Sequence, residues 1–132
     1  MYLKQFLLAG FLSVIALASC KKNNDAPSAI PIQGSWAGKY SVLSEPYNSY
    51  YSFSIKEGGV LELQDEQQKK TGEGTWELND AIFTGTYTLL APASGTFSVI
   101  ANFHEATGKL DGTWGVGAKE YGGGYWFMDK SK

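Results

Sequence analysis

The sequence predicts an all-β fold, an eight-stranded antiparallel up-and-down barrel. From residue 34 onward, apolar and polar side chains alternate in short runs, as they do in strands with one buried face. Turn-forming residues separate these runs about every 12 residues, the spacing of a barrel or sandwich. A short signature, Gly-Ser/Thr-Trp, is written three times, at 34–36, 74–76 and 112–114. A two-sheet β-sandwich is the alternative fold.

The first 19 residues are predicted to form a signal peptide. Lys4 supplies a positive charge, and residues 6–18 form an apolar stretch in which Ser13 is the one polar residue, which is the pattern of a targeting segment. This apolar run is too short to span a bilayer comfortably. Residues 17–20, Leu-Ala-Ser-Cys, resemble the lipobox of bacterial lipoproteins. The resemblance implies that Cys20 is lipidated and becomes the new N-terminus.

A lipid on Cys20 would hold the protein at a membrane face without crossing it. In Gram-negative lipoproteins, an aspartate directly after the lipidated cysteine resembles a mark for retention in the inner membrane. This position is occupied here by Lys21, so we expect the protein in the outer membrane or at the cell surface. Two alternative interpretations of this segment remain, an ordinary secretory signal and an N-terminal membrane helix with an incidental cysteine. Cys20 is the only cysteine in the chain, and a disulfide is therefore impossible.

The chain is predicted to consist of three segments: a signal peptide over 1–19, the lipidated Cys20 with a flexible tether over 20–33, and a barrel domain over 34–132. The tether contains two prolines and mostly small or polar residues, as linkers do. In the barrel domain, the predicted strands are 36–42, 50–56, 60–63, 71–78, 81–89, 96–104, 109–116 and 124–130. Alternation predicts buried faces that include Val42 on the first strand and Trp114 and Val116 on the seventh.

The connections predict two different ends of the barrel. Turns at 57–59, 79–80 and 105–108 are short and rich in residues that tolerate positive φ, so they close tight hairpins. The connections at 44–49, 64–70, 90–95 and 117–123 are longer. In an up-and-down meander the short turns form one end, here called the plain end, and the long ones form the looped end. Because the chain enters at the plain end, the looped end is expected to face away from the membrane.

The strand motifs resemble the lipocalin superfamily in its broad sense, and its avidin-like barrels in particular. The resemblance is carried by Gly-x-Trp at the start of the first strand and by Phe-Thr-Gly-Thr-Tyr at 83–87, Thr-Trp-Gly at 113–115 and Trp-Phe-Met at 126–128. It implies the fold, and no ligand is carried over. Lipocalins cover the first-strand tryptophan with an arginine near the chain end. This chain has no arginine, and Lys130 is the nearest substitute.

The sequence does not predict an enzyme. His104 is the only histidine, and it has no second histidine or nearby cysteine to complete a metal site or a nucleophile-base pair. No catalytic residue, metal site or cofactor is therefore expected. The formal charge of -2 argues against nucleic acid as a partner, because nucleic-acid binding leaves a basic patch.

The aromatic residues carry the functional hypothesis. They make up 14% of the chain, and they would line an interior that can hold a small ligand. We expect a cell-envelope lipoprotein that binds a small apolar or ring-shaped ligand at its looped end. Alternatively, a filled barrel serves as a structural or inhibitory module that contacts another envelope protein. The predicted mouth residues are Trp114, Trp126, Tyr47, Tyr50 and Tyr121.

Overall fold

The structure is a computed structural model that describes residues 29–132. The predicted signal peptide and Cys20 lie outside the described residues. Eight antiparallel strands form a closed barrel in which each strand pairs with its neighbours in the chain. The strands are β1 (Gly34–Tyr40), β2 (Ser49–Lys56), β3 (Val60–Gln64), β4 (Lys70–Asn79), β5 (Ile82–Leu89), β6 (Thr96–His104), β7 (Lys109–Val116) and β8 (Gly124–Lys130).

Pairing of the first and last strands closes the barrel. Gly38 of β1 lies opposite Tyr51 of β2 on one side and Met128 of β8 on the other. Closure removes the free edges that an open sheet would expose. The predicted up-and-down barrel is confirmed, and the sandwich alternative is wrong.

Two valines predicted to be buried are exposed instead. Val42 is 47% exposed because β1 ends at Tyr40, and the chain turns away through Leu43, whose φ is positive. Val116 is 67% exposed as the last residue of β7, just before the chain turns at Gly117. Both stand at the rim, beyond the part of each strand that the opposite wall covers. Alternation therefore predicts the face of a residue but not whether the barrel extends over it.

The chain entering β1 closes the plain end. Ile32 is buried, and its carbonyl accepts a hydrogen bond from Nε1 of Trp36 at 2.7 Å. Nζ of Lys130 donates to the carbonyl of Pro31 at 2.7 Å and lies 5.6 Å from the centre of the Trp36 ring. The N–H of Ile30 donates to Glu105 in a plain-end turn. Packing against the barrel therefore begins before Gly34, the predicted domain boundary, and Lys130 does cover the first-strand tryptophan.

The half of the barrel nearer the plain end is filled by side chains. Trp126 is completely buried at its centre and contacts the rings of Phe53 and Phe83 at centroid distances of 5.5 and 6.3 Å. Large aromatic side chains of this kind bury roughly 150–250 Å² each. The other fully buried apolar residues are Trp36, Ile55, Leu61, Val99, Leu110 and Met128. Side chains therefore occupy this half of the interior, and the cavity described below lies toward the looped end.

Glycines of the repeated signature sit where neighbouring strands approach closely. A Cβ added to Gly74 would overlap the carbonyl of Thr86, and one added to Gly112 would overlap that of Ile100. A glycine within a strand often marks such a tight corner of a barrel. Gly34 differs, because its φ is +136° and it faces the side chain of Lys130. The three copies of the signature are thus not equivalent.

Candidate functional site

A cavity of about 400 Å³ lies inside the barrel at the looped end. It falls within the roughly 300–1,000 Å³ typical of small-molecule sites. Its lining comes from the looped-end portions of β1 to β7 and from the connection between β3 and β4. The lining residues are Tyr40, Tyr50, Tyr51, Leu63, Gln64, Asp65, Glu66, Thr71, Tyr87, Leu89, Phe97 and Trp114.

Two tyrosines form the floor, between the filled core and the cavity. The hydroxyls of Tyr51 and Tyr87 are 2.7 Å apart, and both residues are only 5% exposed. The ring of Tyr51 also packs on the core side chains of Phe53 and Trp126, at 5.1 and 5.6 Å. Among the described residues, neither hydroxyl makes a further side-chain hydrogen bond. Two phenols carry two protons and their mutual bond uses one, so one donor is left for the cavity.

The floor stays uncharged over the physiological pH range. Burial raises the pKa of the Tyr87 phenol to about 12. Burial, reinforced by the nearby Tyr87 and Tyr40 phenols, raises the pKa of Tyr51 well above its usual value. A phenolate in this position would lose its hydration without gaining a cation. Both floor residues therefore act as neutral hydrogen-bonding groups.

Trp114 forms the most firmly held part of the wall. Its Nε1 donates to the carbonyl of Ser41 at 2.8 Å. Its ring packs directly on the backbone of Gly123, where an added Cβ would lie 2.5 Å from ring atoms. Edge-to-face contacts with Tyr40 and Phe97, at centroid distances of 5.8 and 6.0 Å, hold the other sides. The wall is thus a rigid aromatic surface.

The rim of the cavity is polar and acidic. Asp65 and Glu66 both line it, and no lysine or histidine does. Oδ1 of Asp65 accepts the backbone N–H groups of Gln67 and Lys69, each at 2.9 Å, which shapes the connection between β3 and β4. The strand pairing shifts register between Leu63 and Gln64, a bulge of the kind common at barrel rims.

The structure brings together only part of the predicted mouth. Trp114 and Tyr50 line the cavity. Trp126 lies opposite Gly112 and is fully buried within the core, with its Nε1 bonded to the carbonyl of Thr113 at 2.9 Å. Tyr47 packs outside the barrel, its ring 5.2 Å from that of Phe127. A ligand role for Trp114 and Tyr50 stays a prediction.

Tyr121, the remaining predicted mouth residue, lies on the outside of the barrel. It is 66% exposed and borders a shallow groove with Leu43 and Tyr125. This groove lies between the β1–β2 and β7–β8 connections. Tyr121 is therefore separated from the interior cavity by the barrel wall.

Apolar-polar alternation places Tyr51 and Tyr87 on the inward faces of their strands, but it does not predict that they form the cavity floor. Their hydroxyls were the available signal, because a buried tyrosine needs a polar partner whereas phenylalanine does not. The two residues stand 36 positions apart. Nothing local in the sequence indicates that they meet.

His104 lies away from the cavity, on the outer surface at the plain end of β6. Its Nε2 is 3.0 Å from Oδ2 of Asp111, and the two side chains are 48% and 41% exposed. Within residues 29–132, no group of three or more His, Cys, Asp or Glu side chains could hold a metal ion. In the same part of the chain, no helix is both long and apolar enough to cross a membrane.

Fold and site together define a small closed β-barrel, solid at one end and opening at the other into a cavity of ligand size. No known protein family, curated protein or solved structure matches this chain. Because one barrel fold serves many functions, the function has to be argued from the site itself.

Proposed function

We propose that this protein is a cell-envelope lipoprotein whose barrel binds a small apolar or ring-shaped molecule. The observation that carries the proposal is the cavity of about 400 Å³ at the looped end. Its wall is mainly aromatic and aliphatic, with a few polar groups at the floor and rim, which is the usual composition of a small-molecule site. A ligand in this space would remove apolar surface from water, at about 25 cal/mol per Å².

A neutral fluorescent dye, Nile red, tests whether the cavity binds. We expect its emission to rise on addition of the purified protein. Leu63→Trp places a large side chain in the cavity and should abolish the rise. Val60→Trp is the matched control, since Val60 belongs to the same strand but is 41% exposed and does not line the cavity. The proposal fails if the dye does not bind or if Leu63→Trp leaves binding unchanged.

The second candidate function is a protein-interaction module. Exposed apolar side chains favour it: Leu43 is 64% exposed, Tyr121 66% and Tyr125 55%, and all three border the outer groove. Exposed aromatic residues can anchor a partner protein. Tyr121→Ser separates the two candidates, because it should leave dye binding in the cavity unchanged. Loss of dye binding in Tyr121→Ser would instead place the apolar site on the outer groove.

The lipid anchor is a further part of the proposal. The Leu-Ala-Ser-Cys motif supports lipidation of Cys20. The described chain crosses the plain end through Ile30 and Ile32 before entering β1. An anchor attached ahead of this segment would leave the cavity facing away from the membrane. Cys20→Ser should release the protein into the soluble fraction and abolish labelling by fatty acid. Unchanged membrane fractionation would contradict the anchor without bearing on dye binding.

A further inference from the structure

The floor of the cavity offers one hydrogen-bond donor to an occupant. Tyr51 and Tyr87 are each at least nine-tenths buried, their hydroxyls are 2.7 Å apart, and both residues line the cavity. Whichever hydroxyl donates to the other, the second phenolic proton has no side-chain partner among residues 29–132. Two phenylalanines would fill this floor without leaving a polar group unsatisfied. The pair is therefore suited to an occupant that carries a hydrogen-bond acceptor.

The rim sets the charge that an occupant can carry. Asp65 and Glu66 line the cavity, whereas no lysine or histidine does, and the whole chain lacks arginine. Lys70, the first residue of β4, has its Nζ 3.0 Å from Glu73 and 3.7 Å from Glu62, and neither of these carboxylates lines the cavity. An anionic group entering the cavity would lose water and meet like charge, with no cation among the residues that line the cavity to replace that water. Anions are therefore disfavoured.

The wall favours a flat occupant. Trp114 and Phe97 meet edge to face at 6.0 Å, and Trp114 is held by Ser41 and Gly123. Rigid aromatic surfaces contact planar rings with little loss of side-chain freedom. Leu63 and Leu89 complete the apolar lining.

We propose that the cavity selects a non-anionic ring compound whose hydrogen-bond acceptor takes the free phenolic proton of the Tyr51–Tyr87 pair, and that the acidic rim rejects carboxylates. This inference rests on the proposed function and narrows it to one class of ligand. It separates this barrel from a carrier of fatty acids, whose ligands are anions.

Three naphthalene derivatives of similar shape test the inference. Acetylnaphthalene is neutral and carries an acceptor, ethylnaphthalene is neutral without one, and naphthoate is an anion with an acceptor. Affinities are measured by displacement of Nile red from the full protein. We expect acetylnaphthalene to bind about tenfold more tightly than ethylnaphthalene, the effect of one hydrogen bond. Naphthoate should bind most weakly.

Two double variants, with a third as control, assign these preferences to residues. Tyr51→Phe with Tyr87→Phe should make acetylnaphthalene and ethylnaphthalene bind equally, since no phenolic donor remains at the floor. Asp65→Asn with Glu66→Gln should strengthen naphthoate binding severalfold while keeping an acceptor oxygen at residue 65. Glu57→Gln with Glu105→Gln is the control, because it also removes two negative charges but does so at the plain end. It should leave naphthoate binding as weak as in the unmodified protein.

The outcomes separate this inference from the proposed function. Suppose that Nile red binds, but that naphthoate has the highest affinity or the two neutral compounds have equal affinities. Either result overturns the inference and still leaves a ligand-binding cavity. Absence of binding by the dye and all three compounds overturns the proposed function itself. The variant Tyr51→Phe with Tyr87→Phe gives one more test. If its affinity for all three compounds falls by the same factor while its unfolding curve is unchanged, the tyrosines do not act as a specific donor.

Discussion

Nε1 of Trp114 lies 2.8 Å from the carbonyl oxygen of Ser41, a residue 73 positions earlier in the chain. The bond joins the looped end of β7 to the segment that follows β1. Ser41 is itself held to Tyr125 by backbone and side-chain hydrogen bonds. The aromatic wall of the cavity is therefore positioned by two loops that meet across the barrel closure.

Replacing this tryptophan should loosen the cavity wall. Trp114→Phe removes the donor to Ser41 and part of the ring packed on Gly123, and we expect a loss of roughly 2–3 kcal/mol in unfolding free energy. Nile red affinity should fall as well. Trp76→Phe is the matched control, because Nε1 of Trp76 donates to the backbone carbonyl of Lys56 at 2.8 Å at the plain end. Denaturant unfolding and dye titration measure both effects, and unchanged dye affinity in Trp114→Phe would contradict the assigned wall.

The tyrosine pair should make the fold sensitive to alkali. Because the pKa of Tyr87 is raised from 10.0 to about 12, the unfolded chain ionises this phenol at lower pH than the folded one. Its stabilising contribution is thus complete below about pH 10 and is lost as pH rises toward about 12, by roughly 3 kcal/mol in total. Guanidinium unfolding at increasing pH measures the loss. Tyr87→Phe should make this dependence shallower, leaving the part due to the raised pKa of Tyr51, and an equally steep loss in that variant would show that Tyr87 does not contribute.

The glycines at the barrel corners should not tolerate a side chain. Gly74→Ala and Gly112→Ala each place a Cβ on a neighbouring carbonyl, so backbone must move and the loss should exceed about 3 kcal/mol or prevent folding. Gly58→Ala is the control, because open space surrounds that position although its φ is +77°. It should cost only about 1–2 kcal/mol. Circular dichroism and thermal unfolding measure the difference, and similar losses in all three would exclude the corner explanation.

Lys130 should hold the entering chain against the barrel. Lys130→Met keeps the aliphatic stem but removes the bond to Pro31 and the cation over Trp36, at a cost of about 1 kcal/mol. Hydrogen exchange at the Ile30 amide, which is bonded to Glu105, should become faster. Lys130→Arg should preserve both contacts, so exchange at the Ile30 amide should stay as slow as in the unmodified protein. Lys109→Met is the control, since Lys109 covers Phe127 on the outer surface. Faster Ile30 exchange in the control alone would contradict this assignment.

Much of the architecture could be predicted because it depends on local patterns. Apolar residues such as Phe53 and Ile55 alternate with polar ones at the period of a pleated strand, which assigns each to a face. Turn lengths then predicted which connections share an end of the barrel. The same patterns could not distinguish Trp114 from Trp126, because both face inward on adjacent strands.

The sequence by itself therefore determined the order of the strands, the inward face of each and the end at which the long connections gather. Only the tertiary structure decided how deep each inward side chain lies in the barrel. This depth depends on the stagger of all eight strands when β1 pairs with β8. That stagger buries Trp126 beneath Tyr51, leaves Trp114 beside open space and brings Tyr51 to Tyr87. A cavity floor built from residues 36 positions apart has no local signature, since their contact exists only after closure.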